Sequence, residues 1–184
     1  MQIGYQHVTL SCPSKNFDKM TSLHRVPLVA VLISALQFSV FAAPAHAQER
    51  KPTEKEIALI RHCASKNQDD LDVIERQCLF KLVADPCSDK GSAADWVLRD
   101  CFRIEKSIWD ALLNENYKKL LQDLDDEQTA KARAMQRAWT AYRDTTCEFY
   151  YDKIHGTMAN MMIAACEARE TARRAVLLAF FKRL

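Results

Sequence analysis

The sequence predicts an all-α fold, a small disulfide-stapled helical bundle with a long antiparallel helical core. Three observations predict it. From residue 48 onward only Gly91, Gly156, Pro52 and Pro86 interrupt a chain rich in helix formers. Apolar residues recur at steps of three and four, the spacing of one helical face. Six cysteines remain after residue 47, an even set in a short chain.

The first element is a leader. Residues 26–43 are VPLVAVLISALQFSVFAA, uncharged, with Arg25 before them and Ala45-His46-Ala47 after them. A basic flank, an apolar run and an A-x-A site are the parts of a secretory signal peptide. Residues 1–47 are therefore expected to be removed, leaving Gln48 as the first residue. Met20 opens an ordinary leader of its own and is an alternative start. The apolar run also reaches the minimum length of a spanning helix, so a retained anchor is the rival reading. Cleavage removes Cys12 and leaves Cys63, Cys78, Cys87, Cys101, Cys147 and Cys166. It also predicts a bacterial protein that is periplasmic or secreted, with no stable membrane anchor after cleavage.

Helices are predicted at about 54–66 and 70–83. Pro52-Thr53 followed by Glu54 and Glu56 marks the first start, and Asn67-Gln68-Asp69-Asp70 a turn and cap. ADPCSDKGSA, with Pro86 and Gly91, reads as a loop that no helix runs through. A helix over about 95–124 carries Val97, Cys101, Ile104, Ile108, Leu112, Leu113, Tyr117, Leu120 and Leu124 as one drifting stripe. Asp123, Asp125, Asp126 and Glu127 mark a corner. The following helix runs to about Lys153, where Gly156 suits a left-handed cap, and the last covers about 158–181. Alanines on these last two helices, among them Ala134, Ala138, Ala168 and Ala172, allow close approach. Such stripes are buried by packing helix on helix. Residues 48–100 read as a cysteine-rich helical extension, packed as one unit with a helical domain over 101–184.

Cys147 and Cys166 stand nine residues before Gly156 and ten after it. Equal offsets about an antiparallel turn face each other, as a disulfide requires. The same symmetry about the 87–91 loop suggests Cys78 with Cys101, leaving Cys63 for Cys87. Four cysteines allow three pairings, and spacing does not choose among them. Spacings of 15, 9 and 14 contain no C-x2-C knuckle, so no metal site is predicted.

Composition narrows the function. Residues 1–47 hold Lys15, Lys19, Arg25 and Asp18, so 26 bases less 3 and 24 acids less 1 leave 23 of each. A balanced, exported chain is a poor nucleic-acid binder. No glycine-rich phosphate loop, metal motif or G-x-S-x-G element occurs, and no cofactor is implied. Glu167 and Glu170 are three apart, but Arg169, Arg173 and Arg174 surround them, the pattern of a solvated, ion-paired face. No catalytic residue is assigned, and the chain does not read as an enzyme.

The stretch RAWTAYRDTTCEFYYDKIHG, residues 137–156, aligns Trp139, Arg143 and Cys147 at i, i+4 and i+8. An arginine there can lay its stem on the indole and extend its fork to a carboxylate or helix end. Arg174 on the last helix is a candidate partner for Asp144. Fixing one helix to its neighbour explains these residues without a ligand.

At these positions the chain resembles the LprI-like family of exported, cysteine-bearing helical proteins, named for a lysozyme inhibitor. The resemblance rests on Leu113-Asn114, Tyr117 and Leu120, then Gln136, Trp139, Arg143-Asp144 and Cys147, then Cys166, Thr171, Arg174 and Leu178. Cys63, Cys78, Cys87, Cys101, Glu105 and Trp109-Asp110 look like the cysteine-rich extension of some members. Two departures stand out. His155-Gly156-Thr157 replaces a more glycine-rich turn, and no lipobox cysteine follows the leader.

The resemblance implies a protein-binding module and, as partner, lysozyme or a related cell-wall hydrolase. Such lysozymes are basic, so the acidic corner Asp123, Asp125, Asp126 and Glu127 is the candidate contact. The alternative is an envelope structural or accessory protein with another protein partner. An exposed apolar patch, with Phe180-Phe181 as candidate, would mark that reading.

Overall fold

The computed structural model describes residues 50–89 and 94–184, all within one compact unit, Ala45–Leu184. The expected leader and its cleavage site lie outside the described residues, as do positions 90–93 of the expected loop. Six α-helices and one π-helical turn make up the described residues, with no strand among them. They are α1 (Glu54–Lys66), α2 (Leu71–Val73) running into a π turn (Ile74–Cys78), α3 (Ala84–Ser88), α4 (Asp95–Leu121), α5 (Asp126–Ile154) and α6 (Gly156–Arg183). None of these helices is long and apolar enough to cross a membrane.

Local chemistry fixes most of the boundaries. Thr53 caps α1 in a reciprocal box with Glu56, each side chain taking the other's backbone N–H. Asp125 and Gln128 build the same box at the start of α5. The α5–α6 turn gives positive φ to both His155 (58°) and Gly156 (69°). The glycine accepts this freely, whereas the histidine carries the strain of a side-chain residue in that region. Helix α6 begins at Gly156 itself, two residues before the expected Met158.

α4 and α6 run side by side in the same direction and form the long core, with Asp95 meeting Thr157 and Asn116 the Ala175 carbonyl, while α5 runs antiparallel to α6. Ile104, Ile108, Trp109, Leu112, Leu113 and Leu120 meet Ala172, Ala175, Val176 and Leu178. Ile60, Ile74 and Val83 join the same cluster, so α1, the π turn and the residue before α3 are packed into this core. Small residues on α6 let α4 approach closely, since Ala164, Ala168, Ala172 and Ala175 are all buried. The alanines of α5 do not share this role. Ala130, Ala134, Ala138 and Ala141 face solvent, and the buried residues of α5 are Ala132 and Cys147.

The expected helix over 70–83 does not form as one piece. The chain breaks at Leu79-Phe80, where Phe80 takes φ 66°. The cause lies 25 residues away. Glu105 of α4 is fully buried, and its carboxylate accepts hydrogen bonds from the Phe80 N–H (2.7 Å), the Ala84 N–H (3.0 Å) and Trp109 Nε1 (3.1 Å). Two backbone donors that a straight helix would have used internally are turned toward one acid. α3 then forms across Pro86, inside the expected loop. Pro86 sits in its first turn, where a missing N–H costs nothing.

This bend also corrects the disulfide pairing. The bonds are Cys63–Cys78, Cys87–Cys101 and Cys147–Cys166, with Cα–Cα distances of 5.8, 5.7 and 5.5 Å. Pairing Cys78 with Cys101 assumed a symmetric hairpin of two straight helices. The break leaves Cys78 against α1 and turns Cys87 back onto the first turns of α4. The bonds close segments 15, 14 and 19 residues long, and each typically stabilises by about 3 kcal/mol.

Candidate functional site

Two groups of residues stand out. The first is a seam between α5 and α6 built around Trp139. Arg143 lies with its guanidinium 5.0 Å from the indole centre, and Arg174 of α6 lies 5.5 Å from the same ring. Arg143 donates from Nε and Nη2 to Asp144 Oδ1 at 2.8 and 2.7 Å. Arg174 donates from Nε to Gln136 Oε1 at 2.9 Å. The expected pairing of Asp144 with Arg174 is therefore replaced. Asp144 takes its sequence neighbour, and Arg174 reaches an amide. The register explains this, since Asp144 and Arg174 stand at unequal distances from the turn.

Arg174 is only 6% exposed, and its Nη2 finds no protein acceptor, as is also true of Thr171 Oγ1 one turn earlier. Burial lowers the arginine's pKa, partly offset by Tyr117. No carboxylate is paired with this guanidinium among the described residues. Leu113, Leu120 and Leu178 are buried in the core against which Trp139 and Tyr117 pack. Asn114 differs from them. It is exposed and donates to Asp110 at 3.1 Å. The Cys147–Cys166 bond closes the seam toward the turn. The arrangement offers no free thiol, because all six described cysteines are bonded.

The second group is the acidic end of the bundle. Asp123, Asp125, Asp126 and Glu127 are exposed at the α4–α5 corner, as expected. Two of them hold structural positions as well. Asp123 pairs with Lys182 near the end of α6, and Asp125 caps α5 through the Gln128 N–H at 2.8 Å. Glu127 bonds Lys131 one turn along. Sequence reading missed a second acidic segment at this end. Arg183 binds the Asp69 carboxylate and the Gln68 backbone oxygen, bringing the α1–α2 turn to the tail of α6. The end of α6 thus touches both Asp69 and Asp123, which are 54 positions apart in sequence. Only the fold joins them; Asp69 and Asp70 were visible as part of a turn and cap, and Asp72 follows them in α2.

Among the described residues no group of three or more His, Cys, Asp or Glu is arranged to hold a metal ion. The six described cysteines are joined in pairs, the long helices face each other through alanine, and the distinctive polar residues fasten one helix to the next. Together these define a small disulfide-stapled helical protein. Residues 87–178, half of the chain, match the family described as Lysozyme inhibitor LprI, and the chain belongs to that family. No curated protein and no solved structure matches it.

Proposed function

We propose that this is an exported, periplasmic protein-binding module that inhibits lysozyme or a related cell-wall hydrolase. Membership of the Lysozyme inhibitor LprI family carries this reading. Two features of the fold support it. Three disulfides suit an oxidising compartment. The acidic corner stands on a capped helix start, so its charges are displayed by a rigid scaffold toward a basic partner. The contact surface in this reading is Asp123, Asp125, Asp126 and Glu127, extended by Asp69, Asp70 and Asp72.

An accessory envelope protein is the second reading. A patch of exposed apolar side chains, Leu71, Leu177 and Phe180, favours it. Phe181, its expected companion, is half-buried against the core. Titrating the oxidised protein against a panel of lysozymes, with cell-wall turnover followed in the same samples, separates the two. Saturable loss of turnover supports inhibition. Neither binding nor inhibition across the panel sinks it.

A further inference from the structure

A cleft of about 420 Å³ opens between α1, α4 and α6, away from the Trp139 seam. Its apolar side is made by Leu112 of α4 and by Val176 and Ala179 of α6. Its rim carries Arg61 and Lys119, which share a single carboxylate. Glu115 accepts from Arg61 Nη1 at 2.7 Å and from Lys119 Nζ at 2.7 Å. Lys119 and Arg61, in that order, hold the Glu115 carboxyl below its ordinary range, so the acid is fully ionised at neutral pH. Two cations against one anion leave a formal charge of +1 on this rim. Donors also remain unused, because Arg61 spends one guanidinium nitrogen on Glu115 and Lys119 one ammonium proton.

We infer that this cleft binds the free C-terminal end of a short aliphatic peptide, its carboxylate set against Arg61 and Lys119 and its side chains on Leu112, Val176 and Ala179. The volume falls in the range of small-ligand sites, which combine an apolar wall with a few convergent polar groups. It accommodates a chain end rather than a folded element. The rim's unshared positive charge selects a carboxylate over an amide, since charge-assisted hydrogen bonds are about twice as strong as neutral ones. Small side chains fit the floor, where Asn116 spends one amide N–H on the Ala175 carbonyl at 2.9 Å. Protein ends of L configuration and cell-wall peptides of D configuration both present this chemistry. The inference does not depend on inhibition of lysozyme, and its test uses no lysozyme.

The test is a protein-observed NMR titration of the full oxidised chain at low salt with four probes. These are N-acetyl-alanyl-alanine in its L,L and D,D forms, each as the free acid and as the C-terminal amide. We expect at least one free acid to shift the methyl signals of Leu112, Val176 and Ala179 saturably. Its amide should bind about tenfold more weakly. Arg61→Met and Lys119→Met, both at exposed positions, should each weaken the acid severalfold and leave the amide unaffected. Preference for the L,L or the D,D acid assigns the source of the ligand. Equal binding of acid and amide would remove the carboxylate from the proposal. No methyl shift with any probe at millimolar concentration would overturn it entirely.

Discussion

Arg143 places two nitrogens on one oxygen of its immediate neighbour, Asp144, at 2.8 and 2.7 Å. Successive residues on a helix project about 100° apart, so such a pair forms only when the arginine folds back along the helix surface. Trp139 supplies the shelf that makes this possible, 5.0 Å beneath the guanidinium. The arginine side chain is 14% exposed and the aspartate 43%. The pair therefore bridges the half-buried seam and the solvent.

Arg143→Ala is expected to lower the thermal midpoint, with a loss of about 1–3 kcal/mol. It removes the packing on Trp139 together with a partly buried charged hydrogen bond. Differential scanning calorimetry measures this. An unchanged midpoint would show that the seam does not depend on Arg143.

Arg174 should respond in the opposite way to a matched apolar replacement. Its charge is buried with an amide for company and no carboxylate. Buried charges replaced by apolar groups of similar volume often cost nothing or stabilise by about 1–4 kcal/mol. Arg174→Met is therefore expected to leave the urea midpoint unchanged or raised. A loss of several kcal/mol would mean that the bond to Gln136 outweighs the burial penalty.

Glu105→Ala is expected to be the most damaging single change, costing about 3–5 kcal/mol. It leaves the Phe80 and Ala84 N–H groups and the Trp109 indole N–H without their acceptor in a dry interior. Glu105→Gln keeps one acceptor oxygen but turns an amide N–H₂ toward donors, so it should fall between the parent and the alanine variant. Urea unfolding gives the order, and proteolysis between residues 79 and 84 should report the loosened bend. Parent-like stability in Glu105→Ala contradicts the account of the bend.

Acid should destabilise the fold below about pH 4.5. Arg50 and the Thr53 cap hold Glu56 down to about 2, Arg173 lowers Glu75, and Lys119 and Arg61 lower Glu115. A depressed carboxyl contributes stability that is complete above the unfolded pKa and is lost as pH falls through the folded one. Glu105 acts oppositely. Burial raises its pKa against the pull of its three donors, so on its account stability grows as pH falls through that raised value. The expected profile is flat or slightly rising from neutral pH to about 4.5, then falling toward 2. A midpoint that climbs throughout the acid range rules this out.

Replacing Asp123, Asp125 and Asp126 with asparagine should slow association with lysozyme severalfold at low salt and change dissociation little. Outer charges act through steering, and added salt should erase the difference. The fold should be nearly unaffected. Asparagine caps a helix about as well as aspartate, and the exposed Asp123–Lys182 pair contributes no more than about 1 kcal/mol. Surface plasmon resonance at two salt concentrations decides. Equal association by the triple variant at low salt would move the contact elsewhere, with the Cys87–Gly91 region next to be tested.

Much of the architecture was legible because it is written locally. Thr53 and Glu56 announced α1, the acids at 123–127 announced a corner, and Gly156 announced the turn that brings Cys147 to Cys166. What could not be read depends on distant partners. Nothing within residues 70–83 signals a break, because the acceptor that causes it is Glu105 on another helix. With that bend hidden, the straight-helix geometry favoured the wrong partners for Cys78 and Cys101. The acidic end was half legible for the same reason. The run at 123–127 is contiguous, whereas Asp69 reaches it only through the tail of α6.

The order of the cysteine bonds bears on how the protein is made. Counted from the first described cysteine, each joins the very next one: 63 with 78, 87 with 101, and 147 with 166. No bond encloses or crosses another. A chain threading outward from its N-terminal side therefore never exposes more than one unmatched thiol at a time from this set. An oxidant that simply couples thiols as they emerge yields the native set, with no reshuffling by an isomerase.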